Sequence, residues 1–413
     1  MTESPAQDQP RVHVAVPVLD ERDWLPGCLR SLIGQTYPGF KTWFCVNQPE
    51  AWWDDGDQAA ICRRNVETLD YLRRDWPIEL EVIDRCSRGK GWDAGRCGVG
   101  WARKTLMDRI CEDAEDNDVI VCMDADTAFG ARYIASVVAT LEEHPQAVGV
   151  AAPYRHPLCG DEDVDRAMLR YEIYLRYYVL NLWRIASPYA FTAMGSVISV
   201  PVRAYRAVGG LDPRESGEDF YFLQKLTKYG PVLHWLADTA YPGTRLSSRV
   251  PFGTGPAMQR GVEGDWSRYP LYAAGRFDEL GDTIKLFPEL QQGDHETSVT
   301  AFLRQQLKTT DLWSPLRRTH AKPERFKRAC HERLDGLRTL QYLKASHADD
   351  GRRDEDILRE YFATHYPAAA DMTDLWSSDG WTFDDLPIER LDRLRDFLEE
   401  QENRYRRAST ESL

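Results

Sequence analysis

Two aspartates, Asp124 and Asp126, close the apolar run VIVCMDADTAF with a single alanine, Ala125, between them. Carboxylates this close repel each other and resist desolvation, so the pair needs a counter-charge. Hard carboxylate oxygens suit a divalent cation, Mg²⁺ or Mn²⁺, that also binds phosphate oxygens. The plainer alternative is that the pair caps the following helix. Other residues carry compatible chemistry. The turn RCSRGKG offers Arg88 and Lys90 to a diphosphate, and Gly89 and Gly91 permit close backbone approach. A solvated loop lysine is the alternative for Lys90. Arg245 and Arg249, in YPGTRLSSRVPFGTGPAM, bring the paired donors that match phosphate. A second acidic pair, Glu218 and Asp219, precedes an amphipathic helix, where capping and chemistry can coexist. Asn47 offers both a donor and an acceptor, or is a turn residue.

The elements that must position these groups alternate. VHVAVPVL, KTWFCVNQ, IELEVIDR and DVIVCMDAD read as strands. Between and after them, DWLPGCLRSLIGQ, AAICRRNVETLDYLRRD, CGVGWARKTLMDRICEDA and ARYIASVVATLEEHP have helical spacing. Strands alternating with helices predict an α/β domain with a mostly parallel sheet, whose ligands gather at the carboxyl ends of the strands. Asp124 and Asp126 sit at one such end. DRAMLRYEIYLRYYVLNLWRIA predicts a long aromatic helix, read first as core packing. Lining an acceptor site or lying on a membrane surface are the other readings. FTAMGSVISVPVRAYRAVGG predicts a strand and a short helix. The rest of the chain is polar and helical.

With these motifs in order, the chain resembles the GT-A glycosyltransferases of the large family 2 type. That family shows a P-x-x-N-E-like first strand, Q-x-Y-P, N-x-G-K-G…N-x-G, D-x-D and G-G-F-D…G-E-D. Here they read as Pro17–Glu21, Gln35–Pro38, Gly89–Gly95, Asp124–Asp126, Gly209–Asp212 and Gly217–Asp219. The resemblance spans roughly Val12 to Val250. It implies a GT-A (Rossmann-like) nucleotide-diphospho-sugar transferase domain over 12–258, after a disordered lead-in at 1–11. A mainly helical region, 259–413, follows.

The same resemblance implies roles. Pro17, Leu19 and Glu21 match the strand end lining the nucleotide pocket. Asn47 stands where the family usually has a base-contacting aspartate. Lys90 would meet the diphosphate, Asp124 and Ala125 the donor, and Asp124 and Asp126 the metal. Asp219 matches the general base of inverting members, with Glu218 as fallback. Gly195 and Ser196 match a GS at the acceptor strand. Two departures stand out. The usual Arg-Asn pair of the Gly-rich turn is Trp92 and Asp93, which alters how the sugar is held. A downstream histidine that would complete the metal site is missing. His234 lies in apolar GPVLHWL and reads as a core residue, while Arg245 and Arg249 occupy the region instead.

The implied activity is metal-dependent transfer of a sugar from a nucleoside-diphosphate donor to the hydroxyl of a glycan, lipid or small molecule. A sugar-phosphate nucleotidyltransferase is the alternative. It would want a long Gly-rich loop after the first strand, where this chain has PVLDERDWLPG. A non-catalytic protein that keeps the fold is the third reading. A net charge of -14 argues against nucleic-acid partners. No apolar run is long enough for a transmembrane helix, though peripheral membrane contact stays open. The polar start lacks a signal peptide's apolar core. Nine cysteines without a CxxC pair fit free thiols in the cytoplasm and no zinc site.

Overall fold

Val12–Val18 (β1) is buried at every position, as a central parallel strand requires. It pairs in parallel with Phe40–Asn47 (β2), which pairs in parallel with Glu79–Arg85 (β3). On its other side β1 pairs in parallel with Val119–Cys122 (β4). A computed structural model of the chain describes residues 9–214, 217–246, 253–348, 350–369 and 380–411. Ala128–Phe129 (β5), Gly149–Ala151 (β6), Ile198–Pro201 (β7), Val232–Leu233 (β8) and Ala240–Tyr241 (β9) follow. They complete a seven-stranded sheet of order β3-β2-β1-β4-β7-β6-β8, and β5 pairs separately with β9. The sheet is mixed: β7 runs antiparallel to both β4 and β6. Because β1 to β4 are parallel, Leu19, Asn47, Arg85 and Asp124 all emerge along one edge of the sheet.

Leu25–Ile33 (α1), Ala59–Leu72 (α2), Val99–Asp113 (α3) and Tyr133–Glu143 (α4) fall where the apolar spacing predicts them. Glu162–Arg184 (α5) is the aromatic helix, Val202–Ala207 (α6) the short one, and Glu218–Tyr229 (α7) begins at the second acidic pair. Gln35, in the QTYP turn, donates to the Gly130 carbonyl at 2.7 Å and accepts from the Ile134 amide at 3.0 Å. That motif therefore fixes the chain just after Asp126.

The chain forms two compact units that do not follow sequence order. One holds the residues up to Val164, Ala193–Gln259 and those from Arg406 onward; the other holds Asp165–Thr192 and Arg260–Tyr405. The sheet-bearing unit runs to Gln259 before the chain passes to the second unit at Arg260, and the aromatic helix groups with the C-terminal helices and not with the sheet. The reason is packing within the second unit. Tyr177 is buried, donates to the Tyr272 carbonyl at 2.6 Å and sets its ring 4.8 Å from that of Tyr361. Arg176, buried on the same helix, reaches Glu402 at 2.7 Å. Most of the ring cluster is thus core. Of the expected lead-in, residues 1–8 lie outside the described residues. Among the described residues no helix is long and apolar enough to cross a membrane.

Candidate functional site

The counter-charges of the two aspartates are arginines. β4 ends at Cys122, and the Met123 amide still bonds to the Ala15 carbonyl at 3.1 Å. The chain then turns, with the Thr127 amide on the Asp124 carbonyl at 2.9 Å. Ala125, between the two acids, is buried. Arg103 Nη2 lies 2.9 Å from Asp124 Oδ1. Arg245 Nη2 lies 2.9 Å from Asp126 Oδ2. The capping alternative gives way to a charge-compensated pair at the sheet edge.

Arg103 was not singled out by sequence reasoning. Its signal was an arginine within the apolar stripe that Leu106, Met107 and Ile110 bury on α3. A guanidinium in a core position needs partners. It finds three: Asp124, Glu218 Oε1 at 3.2 Å from Nε, and the Gly195 carbonyl at 3.0 Å from Nη1. Its side chain is 2% exposed. Burial alone would lower its pKa, but Asp124 and Glu218 push it above the ordinary value. Arg103 thereby joins the first acidic pair to the second.

Gly195 shows why the GS of the expected motif sits there. A Cβ at this position would lie 2.2 Å from Arg103 Nη2. Gly195→Ala is therefore expected to lower stability by about 1–3 kcal/mol through overpacking. A denaturant melt measures this, and an unchanged midpoint would contradict the seating of Arg103.

Glu218 and Asp219 open α7. Burial, with Asp219 beside it, pushes the Glu218 carboxyl up to about 7. Asp219 is also raised by burial, against the pull of Arg103. Asp219 Oδ1 accepts from the Phe220 amide at 2.7 Å. Of the two, Glu218 is committed to Arg103.

The first strand's end belongs to the same cluster. Asp20 adopts φ 58°, a left-handed conformation uncommon outside glycine, and Arg64 holds its carboxylate at 2.6 Å through two nitrogens. Glu21 follows, buried, and Arg245 Nη2 bonds to its Oε1. Pro17 is buried within β1 and Leu19 is half-buried at its end. Arg245 arrives through the β5–β9 pairing. Gly243, just after β9, fits against Asp126, where a Cβ would lie 2.9 Å from the Asp126 carbonyl oxygen.

The Gly-rich turn is satisfied differently from expectation. Glu50 accepts from the amides of Gly89 at 2.7 Å and Gly91 at 2.8 Å, so a carboxylate takes the donors a phosphate would use. Lys90 Nζ lies 3.0 Å from Asp84 Oδ2, and Arg88 Nη1 lies 3.1 Å from Asp54. Asn47 is buried, donates to the Val18 carbonyl at 2.9 Å and accepts from Trp92 Nε1 at 3.2 Å. These bonds brace β1, β2 and the turn, and spend the amide group that was expected to face a base. Glu50, like Arg103, carried no motif signal. His234 is buried, and burial together with Arg406 brings its pKa down to about 3. It is a core residue, as expected. Arg249 lies outside the described residues.

The donor set can be tested against a metal. Asp124 keeps 37% and Asp126 17% of the side chain exposed. Among the described residues no group of three or more His, Cys, Asp or Glu side chains converges to hold an ion. Two carboxylates alone fit Mg²⁺ or Mn²⁺ whose other ligands are phosphate and water.

Residues 119–308 match the family model described as Glycosyl transferase family group 2. In structure the chain is similar to residues 1–349 of S. aureus TarS in complex with UDP-GlcNAc, at 14% identity and a TM-score of 0.41. That match covers 85% of this chain and 92% of the other. It is also similar to the mannosyltransferase PcManGT from Pyrobaculum calidifontis in complex with GDP-Man and Mn²⁺, at 16% identity and a TM-score of 0.35. Here 96% of this chain and 88% of the other are covered. No curated protein matches in sequence. The family match runs through Asp124, Asp126, Glu218 and Asp219, so the part of the chain that carries both acidic pairs is similar to the group 2 glycosyl transferases.

Proposed function

We propose that the protein transfers a glycosyl group from a nucleoside-diphosphate sugar to an acceptor hydroxyl, with Asp124 and Asp126 holding Mg²⁺ or Mn²⁺. The observation that carries this reading is the convergence of the two acidic pairs on one edge, bridged by Arg103 at 2.9 and 3.2 Å. The strand end at Pro17, Leu19 and Glu21 forms the nucleotide side of the donor site. Arg245, with Lys90 and Arg249, supplies positive charge for the diphosphate. A bound divalent ion stabilises charge on the leaving diphosphate.

Asp219 is the general base. Its carboxylate takes the acceptor hydroxyl proton as that oxygen bonds to the anomeric carbon. The bond from the anomeric carbon to the diphosphate oxygen breaks, and its electron pair leaves with the diphosphate. Arg103 holds Glu218 and Asp124 so that base and donor sites keep one geometry. Pre-placed charge of this kind adds to catalysis because it needs no reorganisation during the reaction.

The test is a thermal-shift screen of nucleoside-diphosphate sugars with Mn²⁺, followed by nucleoside-diphosphate release from any hit. A cognate donor at 100 times its Kd raises stability by about 2.7 kcal/mol. Asp126→Ala is expected to abolish both the shift and the release. A variant that binds and turns over donor like the parent sinks the assignment.

A further inference from the structure

The two arginines that neutralise Asp124 and Asp126 differ in one respect that decides their roles. Arg103 has a side chain 2% exposed and is held by two carboxylates and a backbone carbonyl. On leaving Asp124 it would keep Glu218 and the Gly195 carbonyl, but its freed donors, 2% exposed, would find no water to replace that carboxylate. Arg245 is 18% exposed, stands between Glu21 and Asp126, and lies 5.3 Å from the ring of Trp24, itself 38% exposed. Its fork of five N–H donors can leave Asp126 and still keep Glu21.

We propose that Arg245 is an exchangeable counter-cation: it neutralises Asp126 in the donor-free protein and gives that carboxylate up when the donor diphosphate arrives with its divalent ion. The inference rests on the glycosyl-donor reading above and adds an order of events to it. Asp126 cannot serve fully as a metal ligand while its charge is satisfied by a guanidinium. A metal ion arriving alone must displace Arg245 and returns nothing to it. A metal ion arriving with a diphosphate displaces Arg245 and offers it phosphate oxygens, which a guanidinium binds in the same forked geometry. The ion alone therefore binds with an affinity reduced by the fraction of protein in which Arg245 has let go. Ion and diphosphate assist each other, and by linkage the assistance is reciprocal.

Gly243 supplies the mechanical part. It lies against Asp126, where a Cβ would stand 2.9 Å from the carbonyl oxygen, and so pins the chain two residues before Arg245. The guanidinium swings from a fixed base, and a side-chain movement is enough.

The experiment is a Mn²⁺ titration of parent, Arg245→Gln and Arg245→Lys, alone and with UDP or GDP, read by calorimetry or by the electron-spin signal of free Mn²⁺. Arg245→Gln is expected to bind Mn²⁺ alone roughly tenfold more tightly than the parent, because its competitor is gone. The same variant is expected to bind the Mn²⁺-nucleotide roughly tenfold more weakly, because the diphosphate has lost a donor. Arg245→Lys keeps the charge without the fork and falls between in both titrations. This pair of opposite changes is not produced by general loosening of the fold, which weakens both. Mn²⁺ affinity in Arg245→Gln equal to or below the parent's overturns the exchange. Failure of the parent to bind either nucleotide with Mn²⁺ counts instead against the donor reading. Arg245→Gln gaining Mn²⁺ affinity in that case would leave the competition for Asp126 standing. If neither parent nor variant binds Mn²⁺ at all, both claims fall.

Discussion

With Asp219 as the proposed base, Asp219→Asn is expected to lower kcat by about 10²–10⁴-fold and to leave donor binding close to the parent value, since it would remove proton transfer and little else. The carboxylate beside it cannot take over, because Glu218 is bonded to Arg103 at 3.2 Å and is nearly fully buried. Glu218→Gln therefore has a smaller effect on kcat. Single-turnover rates together with a nucleotide titration separate the two parameters. A kcat for Asp219→Asn within a factor of about three of the parent would remove Asp219 from the base role.

The pH dependence follows from the same pair. Burial raises both carboxyls; with Asp219 beside it Glu218 reaches about 7, and Asp219 is raised further by Asp124. A base works only when ionised, so with Asp219 as base, activity is expected to rise with pH as its carboxyl, raised above the ordinary carboxylate range, loses its proton. The stability effect has the opposite sign. A carboxyl raised from its ordinary 4.5 favours the folded state most below 4.5, and that contribution is lost as pH rises through about 7. The protein is thus expected to be most active where these acids stabilise it least.

Arg103→Met costs about 3–5 kcal/mol of folding stability, the usual result of leaving buried charge unpaired. Asp124 is partly exposed and recovers some solvation, whereas Glu218 recovers very little. Glu218 is expected to respond by holding its proton to higher pH. Arg103→Lys retains the charge but cannot reach Asp124, Glu218 and the Gly195 carbonyl with one planar fork. It is expected to fall between the parent and Arg103→Met. Urea unfolding of the three proteins measures the series. Arg103→Met within about 0.5 kcal/mol of the parent, the range of an ordinary surface change, would show that the bridge is not structural.

Helices and strands were legible because hydrophobic periodicity is local. The fully buried β1 and the helices α1 to α4 all lie where apolar spacing puts them. The parallel arrangement of β1 to β4 followed from alternation, and with it the edge on which Asp124 and Asp126 stand. The aspartate pair itself was legible as an anomaly, two like charges in a place that should avoid them.

What resolves that anomaly was not local. Arg103 lies 21 residues from Asp124 and 115 from Glu218, and Arg245 lies 224 from Glu21. None of these separations falls within the few turns or strand residues over which local periodicity is read. The Gly-rich turn carried a phosphate signal, yet Glu50, 39 and 41 residues away, takes its amides. The grouping of the aromatic helix with the C-terminal helices was hidden for the same reason. Its rings specify burial, and only the packed chain decides against what. The sequence by itself determined which residues carry charge and which stretches bury themselves. The tertiary structure decided which charges meet, because Coulomb energy depends on distance in space and a chain records only distance along itself.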